Sequence, residues 1–275
     1  MSALAGLVRQ RGALIGLVIL ATLATMAVAA PWLGSRDPIR TAPREALQPP
    51  GGRFVLGSDQ FGRDVATRVL HGGRISLLVG VISVSIAVAL GAPLGLVSGY
   101  YGGRLDALIM RVMDVMLAFP GILLALAIVS VLSPGLGNVM IAVGLSAVPG
   151  YARLVRATVL SAREHLYVEA ARALGGRDGG ILVRDILPNV VAPLIVTATL
   201  GLGGAILSAA ALSFLGLGSQ PPQPEWGRML SEGRDYLREA WWISTFPGVG
   251  ILLTVLAINL VGDGLRDVLD PRLKT

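Results

Sequence analysis

The sequence predicts an all-α, polytopic membrane protein with six transmembrane helices, and two observations lead to this prediction. Hydrophobic residues occupy 53% of the 275 positions and charged residues only 15%, with a mean hydropathy of +0.71. In soluble domains about a quarter of the residues are charged. The apolar residues also gather into runs of roughly 20 residues, the length of a helix that crosses the hydrocarbon core of a bilayer.

The first apolar run covers residues 12–33 and follows Arg9 and Arg11. It is longer than the core of a secretory signal peptide, which spans about 7–15 residues. Pro31 directly follows the small residues "AVAA", where cleavage would need an extended residue other than proline. We therefore expect a retained span, with a cleaved signal as the alternative. Trp32 lies where an interfacial aromatic residue is expected.

A polar segment, residues 34–74, separates this run from the others. Within it, Ser58 and Asp59 are candidates for the start of a short helix, and Gly72 and Gly73 for its end. Five further apolar runs follow, at residues 75–98, 107–132, 138–160, 190–217 and 241–261.

Aromatic pairs and prolines mark these later runs. Tyr100 and Tyr101 close the second run and Trp241 and Trp242 open the last, as expected for an aromatic belt at the membrane surface. Prolines interrupt several runs, and they predict either tightly packed helices or bent helices that line a path able to open and close. These prolines are Pro93, Pro120, Pro149, Pro193 and Pro247.

The composition excludes several kinds of chemistry. Without cysteine the chain can form neither a disulfide nor a thiolate metal site, and its two histidines, His71 and His165, are far apart, so we expect no metal site. Its one lysine is Lys274, so the sequence cannot contain a P-loop, which needs a lysine in its glycine-rich turn. We expect no catalytic residues, and any ATP-driven step must occur on another polypeptide. The net charge of +6 fits arginines that face lipid headgroups rather than a nucleic-acid site.

Arg111 and Asp114 are the ionisable residues placed deepest in an apolar run. Residues three apart share a helix face, where opposite charges can neutralise each other. Charged residues within spans are also costly and often functional. The spacing therefore predicts an intramembrane pair that is either structural or part of a substrate or proton site.

The polar segment at residues 161–189 stands out between two apolar runs. Ser161 and Glu164 have the spacing of a capping box, which predicts a helix that begins at Ser161 and stops at Gly175. On a helical wheel Glu169 lies on a polar face, and we expect Val168 to be exposed in that face. A second short apolar piece ends at Pro188, which suits the first turn of the next span. The segment thus predicts a helix–turn–helix outside the bilayer core.

The sequence of this segment resembles a motif of a known protein family. "EAARALG", followed after nine residues by "DILPN", resembles the EAA loop of bacterial ATP-binding cassette (ABC) importer permeases. Three other stretches are similar to the C-type permease subunit of dipeptide, oligopeptide and nickel importers: "LGSDQFGRDVATRVLHGGRISL", "LSFLGLGSQPPQPEWGRML" and "NLVGDGLRDVLDPRLK". Asp185 departs from the pattern, because this subfamily usually has histidine there.

The resemblance implies a type I ABC importer permease fold in a bacterial cytoplasmic membrane, with both termini cytoplasmic. It divides the chain into an N-terminal span with an extracytoplasmic segment (1–74), a permease domain (75–265) and a cytoplasmic tail (266–275). Residues 161–189 would form the coupling loop that docks on an ATPase subunit. The residues that the motif assigns to this contact are Val168, Glu169, Ala170, Ala171, Arg172, Gly175, Leu187 and Pro188.

The resemblance also implies partners. These are a second permease subunit, one or two ATPase subunits that bind ATP and Mg²⁺, membrane lipid, and a solute-binding protein that docks on residues 34–74 and 218–240. No cofactor is expected on this chain. Di- or oligopeptides are the expected substrates, with nickel or another solute as the alternative. A transporter driven by an ion gradient is the alternative from another class, but it would place acids or unwound helices near the bilayer midplane.

Overall fold

The computed structural model describes residues 6–7, 10–34 and 36–269, and these contain helices and no β-strand. Most of the predicted tail, residues 270–275 with Lys274, lies outside them. The all-α fold class is confirmed. The helices are α1 (Arg11–Val28), α2 (Ala30–Leu33), α3 (Val65–Tyr101), α4 (Gly103–Leu117), α5 (Gly121–Leu132), α6 (Leu136–Ala162), α7 (Leu166–Ala173), α8 (Asp178–Ile181), α9 (Leu187–Phe214), α10 (Trp226–Gly233) and α11 (Trp242–Leu269).

Five continuous helices in the described residues are long and apolar enough to cross a membrane. They are α1, α3, α6, α11 and the continuous stretch Asp178–Phe214, in which a π-helical turn joins α8 to α9. The predicted run at residues 107–132 is broken, because α4 and α5 meet at an angle of 92°. Pro120 lies at this break as the N-cap of α5, where its missing N–H costs nothing. The count of spans is six when the bent pair is taken as one.

The helix predicted to begin at Ser58 is wrong in both its bounds. Helix α3 begins at Val65, and the Asp64 side chain caps it by accepting a hydrogen bond of 2.8 Å from the Thr67 N–H. The helix then continues through Gly72 and Gly73 to Tyr101. The predicted domain boundary at residues 74 and 75 lies inside this helix, and the division into domains stays a prediction.

Gly72 and Gly73 serve packing rather than helix termination. A Cβ atom at either position would lie 3.0 Å and 2.9 Å, respectively, from the indole ring of Trp226. The ring is confined from a third side, since a Cβ at Gly250 would also lie 3.0 Å from it. The indole N–H of Trp226 donates a hydrogen bond of 2.9 Å to the Val69 carbonyl oxygen. The two glycines therefore let α10 dock on α3.

The bundle core lies between α3, α5, α6 and α9, where the buried side chains include Val79, Val129, Val139 and Leu212. Helices α3 and α6 approach closely along a stripe of small residues. A Cβ at Gly95, for example, would lie 2.4 Å from the Ala152 carbonyl oxygen. Helix α11 packs against α1 and α9. Helices α3 and α6 are thus tightly packed, one of the two arrangements that the prolines predicted.

Segments 36–64 and 218–240 meet at one end of the bundle, where a cluster of ion pairs joins them to α3. The Arg63 side chain lies 2.5 Å from Asp59 and 2.7 Å from Glu232. Arg68 lies 3.5 Å and 3.3 Å from the same two carboxylates, and donates to the Pro38 carbonyl oxygen at 2.9 Å. Both arginines and Asp59 are buried. Removing one partner would leave an unpaired buried charge, a cost of about 3–5 kcal/mol.

The aromatic residues predicted for the membrane surface divide into two groups. Trp32, Tyr101 and Trp241 are exposed, as expected. Trp242 and Tyr100 are buried, so these two rings pack within the protein, and their place at the membrane surface stays a prediction. The indole N–H of Trp242 donates a hydrogen bond of 3.0 Å to the Ser58 carbonyl oxygen. This contact fixes segment 36–64 to the start of α11.

We expect Gly73→Ala to lower the free energy of unfolding, although alanine normally stabilises a helix interior by roughly 0.5–1 kcal/mol relative to glycine. The added methyl group meets a ring that is held on three sides, and overpacking of this kind costs about 1–3 kcal/mol. Thermal unfolding of the purified chain in detergent measures the effect. Gly137→Ala in α6 is the control, because a Cβ there meets nothing within 4 Å. Equal stability of the two variants would contradict the packing role.

Candidate functional site

The polar segment at residues 163–189 lies at the other end of the bundle, beyond the last turn of α6. Helix α6 continues to Ala162, so Ser161 is helical and cannot be a cap. Helix α7 begins only at Leu166, and His165 precedes it without a side-chain capping bond. The predicted capping box is therefore wrong. The reason is that α6 is extended by Val155 and Val159, which are buried against the neighbouring helices.

The predicted stop of this helix at Gly175 is confirmed. The Gly175 N–H donates to the Arg172 carbonyl oxygen and the Gly176 N–H to the Ala171 carbonyl oxygen, both at 2.9 Å. Gly175 has a φ of +80°. This pair of hydrogen bonds around a left-handed residue is a Schellman motif, the commonest use of glycine at a helix end. The motif satisfies two carbonyl groups of α7 and turns the chain back toward α8.

Val168 is buried, and the prediction that it would be exposed is wrong. Its side chain is 0% exposed and belongs to an apolar cluster with Val159, Ile181, Ile186 and Val190. The cluster, named here the Val168 cluster, joins α7 to the end of α6 and to the start of the α8–α9 stretch. Apolar burial on this side fixes which face of α7 is turned away from the bundle.

The outward face of α7 carries apolar and polar residues together. Leu166 is 81% exposed and Leu174 is 89% exposed, although residues of this type are usually buried. Glu169 and Ala170 lie exposed between them. The pattern on the sequence did not single out the two leucines. Their exposure at the end of a membrane bundle is the signal of a contact surface.

The remaining residues assigned to the coupling contact divide by position. Arg172 and Gly175 are exposed near the end of α7, and Ala171 is half-buried. Leu187 is half-buried and Pro188 is exposed at the start of α9, directly after the π-helical turn. The structure therefore exposes Glu169, Ala170, Arg172 and Gly175, buries Val168, and places Leu187 and Pro188 at the start of α9.

Three hydrogen bonds fix this segment. The Asn189 side-chain amide donates to the Tyr167 hydroxyl and to the Asp185 carbonyl oxygen, each at 2.9 Å. The Tyr100 hydroxyl donates to Asp178 at 2.7 Å. These contacts join α7 to α9 and the end of α3 to α8. The Tyr100–Asp178 and Tyr167–Asn189 partners are 78 and 22 residues apart, so no local spacing could have revealed these two contacts.

Arg172 also contacts Tyr100. Its guanidinium group lies over the Tyr100 ring, 5.3 Å from the ring centroid, within the range of a cation–π interaction. Arg163 adds a hydrogen bond of 3.1 Å to the Gly99 carbonyl oxygen. The segment is thus attached to the end of α3 as well as to α6 and α9.

The intrahelical pair predicted between Arg111 and Asp114 does not form among the described residues. Asp114 pairs instead with Arg153 of α6, at 2.5 Å. Asp106, one turn from the start of α4, receives two hydrogen bonds of 2.6 Å from Arg156 of the same helix α6. Because α4 packs alongside α6, its acids reach arginines on the neighbour rather than on their own helix.

Two protein families match this chain. The family described as "Binding-protein-dependent transport system inner membrane component" matches residues 91–275. The N-terminal transmembrane domain of oligopeptide transport permease C matches residues 2–50. The chain belongs to the family of binding-protein-dependent transport permeases. It is the membrane-spanning permease subunit of an ABC importer, and the class driven by an ion gradient is set aside.

Relatives and a solved structure agree with this family. The chain is 49% identical to the dipeptide transport system permease protein DppC of Alkalihalophilus pseudofirmus over 97% of this chain and 88% of that protein. It is 50% identical to the di/tripeptide transport system permease protein DppC of Pseudomonas aeruginosa over 96% and 89%. A chain of the inward-facing MetNI methionine ABC transporter shares the fold, with a TM-score of 0.62 and 20% identity over 73% of this chain and 95% of that one.

Within residues 6–7, 10–34 and 36–269, no group of three or more His, Asp or Glu side chains could hold a metal ion. The exposed face of α7 carries apolar side chains with Glu169 among them.

We expect Val168→Asp to detach residues 163–189 from the bundle, because it places an unpaired charge in the Val168 cluster. The loss should exceed about 1–3 kcal/mol, and each 1.4 kcal/mol is roughly tenfold in population of the detached form. Trypsin cleavage after the exposed Arg172 and Arg177 measures it, and should be at least tenfold faster than in the unchanged permease. Leu174→Asp is the control and should cleave at the original rate. Equal rates in both variants would contradict the anchoring role.

Proposed function

We propose that residues 163–189 transmit the work of an ATP-hydrolysing partner to the spans of this permease, and that the transported solute is a short peptide. The observation that carries the proposal is the two-sided character of α7. One side is fixed to the spans by the Val168 cluster, and the other presents Leu166, Glu169, Ala170 and Leu174 to the surroundings. A partner that grips the outer side therefore moves the ends of α6 and α9 with it.

ATP hydrolysis is assigned to the partner rather than to this chain. A P-loop needs a lysine in its glycine-rich turn, and the one lysine of this chain is Lys274, next to the last residue of the sequence. ATP and Mg²⁺ would therefore be bound by one or two ATPase subunits. The chain itself would act without a catalytic residue. A second permease subunit would complete the path, as the family relationship suggests.

The proposed orientation follows from the ATPase contact. If residues 163–189 are cytoplasmic and the bent pair α4–α5 is one span, six crossings place both termini in the cytoplasm of a bacterium. Segments 36–64 and 218–240 then lie outside, where a solute-binding protein would dock. Their attachment to α3 by Arg63 and Arg68 gives that protein a rigid surface.

The proposed substrate rests on the relatives. The two reported relatives at about 50% identity are named for the transport of dipeptides and of di- and tripeptides. Both alignments cover nearly the whole of this chain, including the spans that form the path. A di- or tripeptide is therefore the substrate that we assign.

The proposal predicts that Gly175→Val weakens ATPase binding while leaving membrane insertion intact. Valine at a φ of +80° is strained by about 1–2 kcal/mol, a factor of roughly 5–30, and the strain falls on the Schellman motif that ends α7. Glu169→Ala should be milder, since it leaves the backbone of α7 unchanged. The measurements are co-purification of the ATPase subunits with the complete transporter and dipeptide uptake by the same cells.

Gly179→Val is the matched control. A Cβ at either glycine meets nothing within 4 Å, but only Gly175 has a left-handed backbone. The control should therefore bind the ATPase more tightly than Gly175→Val does. If Gly175→Val retains its ATPase subunits and transports at the original rate, residues 163–189 are not the coupling element.

A further inference from the structure

A cavity of about 470 Å³ lies between α3, α5, α6 and α9. Its volume falls within the range of about 300–1,000 Å³ found for small-molecule sites. Small and apolar residues form most of the lining, and no charged side chain belongs to it. Five residues with hydroxyl groups also line it: Ser83, Ser146, Tyr151, Thr197 and Ser208.

Two of these hydroxyl groups are unused. Among the described residues, the Thr197 and Ser208 side chains form no hydrogen bond, and the Tyr151 hydroxyl reaches the Thr197 carbonyl oxygen only at 3.4 Å. The contrast is Thr199, on the same helix but outside the lining, whose hydroxyl donates to the Ile195 carbonyl oxygen at 2.9 Å. A hydroxyl within a helix usually bonds back to the preceding turn in this way. The cavity therefore offers free donors and acceptors.

A charged pair lies beside the cavity. Gly150 lines the cavity, and Arg153 follows one turn later on α6. Gly121 lines it from α5, and Asp114 precedes the bend that leads there. The pair formed by Arg153 and Asp114 is 52% and 55% exposed.

The place of this pair along its helix argues against contact with lipid. Arg153 lies within the span α6, four residues from the middle of that helix, about 6 Å along its axis. Charged side chains within a span face a water-filled cavity or other protein rather than lipid.

We propose that the cavity and the Asp114–Arg153 pair form a water-filled station on the translocation path, which receives a zwitterionic peptide. The entering peptide would separate the Asp114–Arg153 pair and replace its contact with two new ones: Asp114 would accept hydrogen bonds from the peptide's α-ammonium group, and Arg153 would donate to its carboxylate. Thr197 and Ser208 would bond to the peptide backbone. Because every peptide has these groups, recognition would not depend on its side chains. The identity of the solute rests on the proposed function, whereas the water-filled character of the station does not.

Single cysteines test the station in the complete transporter, since this chain has none of its own and the partner subunits can be made cysteine-free. We expect Thr197→Cys and Ser208→Cys to react with a charged thiol reagent at least tenfold faster than Thr199→Cys, because thiols react as hydrated thiolates. A saturating dipeptide in the presence of the binding protein should slow the first two and leave the third unchanged.

The outcomes separate the two proposals. Equally slow reaction at all three positions shows a cavity sealed by lipid or by a partner subunit, and overturns the station. Fast reaction without peptide protection, in a transporter that imports the peptide, overturns the peptide site. If the unchanged transporter imports no peptide, the proposed substrate fails, while the ratio of labelling rates still tests whether water fills the cavity.

Charge variants test the pair itself. Asp114→Asn and Arg153→Gln should each lower dipeptide uptake by about tenfold or more, the loss of one charge-assisted hydrogen bond, with co-purification of the partner subunits unchanged. The double variant Asp114→Arg with Arg153→Asp restores an ion pair but reverses its order, so uptake should stay low. Recovery of uptake in the double variant would show that the pair only joins α4 to α6, and would overturn the role in peptide binding.

Discussion

The burial of Val168 against the ends of the spans is the contact on which the rest of the structure depends. A segment as polar as residues 163–189 must lie outside the hydrocarbon core, where nothing in the membrane holds it. It can act on the spans only if it is fixed to them. Val168, together with Ile181 and Ile186, provides this attachment through apolar contacts with the end of α6. Because one side of this short helix is fixed to the spans, its other side, with Leu166 and Leu174, stays exposed until a partner covers it.

The two ends of the bundle differ in how they are held. At the end that carries segments 36–64 and 218–240, buried ion pairs of Arg63 and Arg68 join three parts of the chain. Between the two ends, α4 and α5 bury few residues, with Met113 alone buried in α4. A permease of this family forms a translocation path for its solute, and some of its helices must move to open that path. Helix α4 is weakly packed, and low local contact density accompanies local opening, so this helix is suited to move.

Features set by neighbouring residues, such as spans and helix ends, were predictable from the sequence. Contacts between residues distant in the chain were not. The apolar runs and the stop at Gly175 depend on short-range rules, and the structure confirms them. Gly72 and Gly73 were interpreted as a helix end because the ring that needs them, Trp226, is more than 150 residues away. Asp114 was paired with Arg111 for a similar reason, since spacing along one helix carries no information about Arg153 on another.

The polar face of α7 was predicted correctly for Glu169, and Val168 was placed on it wrongly for a physical reason. A helical wheel separates polar from apolar residues, and the polar side is normally the one turned to water. Helix α7 carries apolar side chains on two sides. Val168 faces the spans, and Leu166 and Leu174 lie on the exposed side, so polarity alone could not decide which face is buried. The structure decides it by placing Val168 in the core.

Accessibility of Leu174 in the assembled transporter tests the central claim most directly. A cysteine at Leu174 is compared with one at Val55, which is 74% exposed at the opposite end of the bundle, using an impermeant thiol reagent. We expect Val55→Cys to react in intact spheroplasts. Leu174→Cys should react only after the membrane is opened, and only when the ATPase subunits are absent. Labelling of Leu174→Cys in intact spheroplasts, or equal labelling with and without the ATPase subunits, would contradict the account.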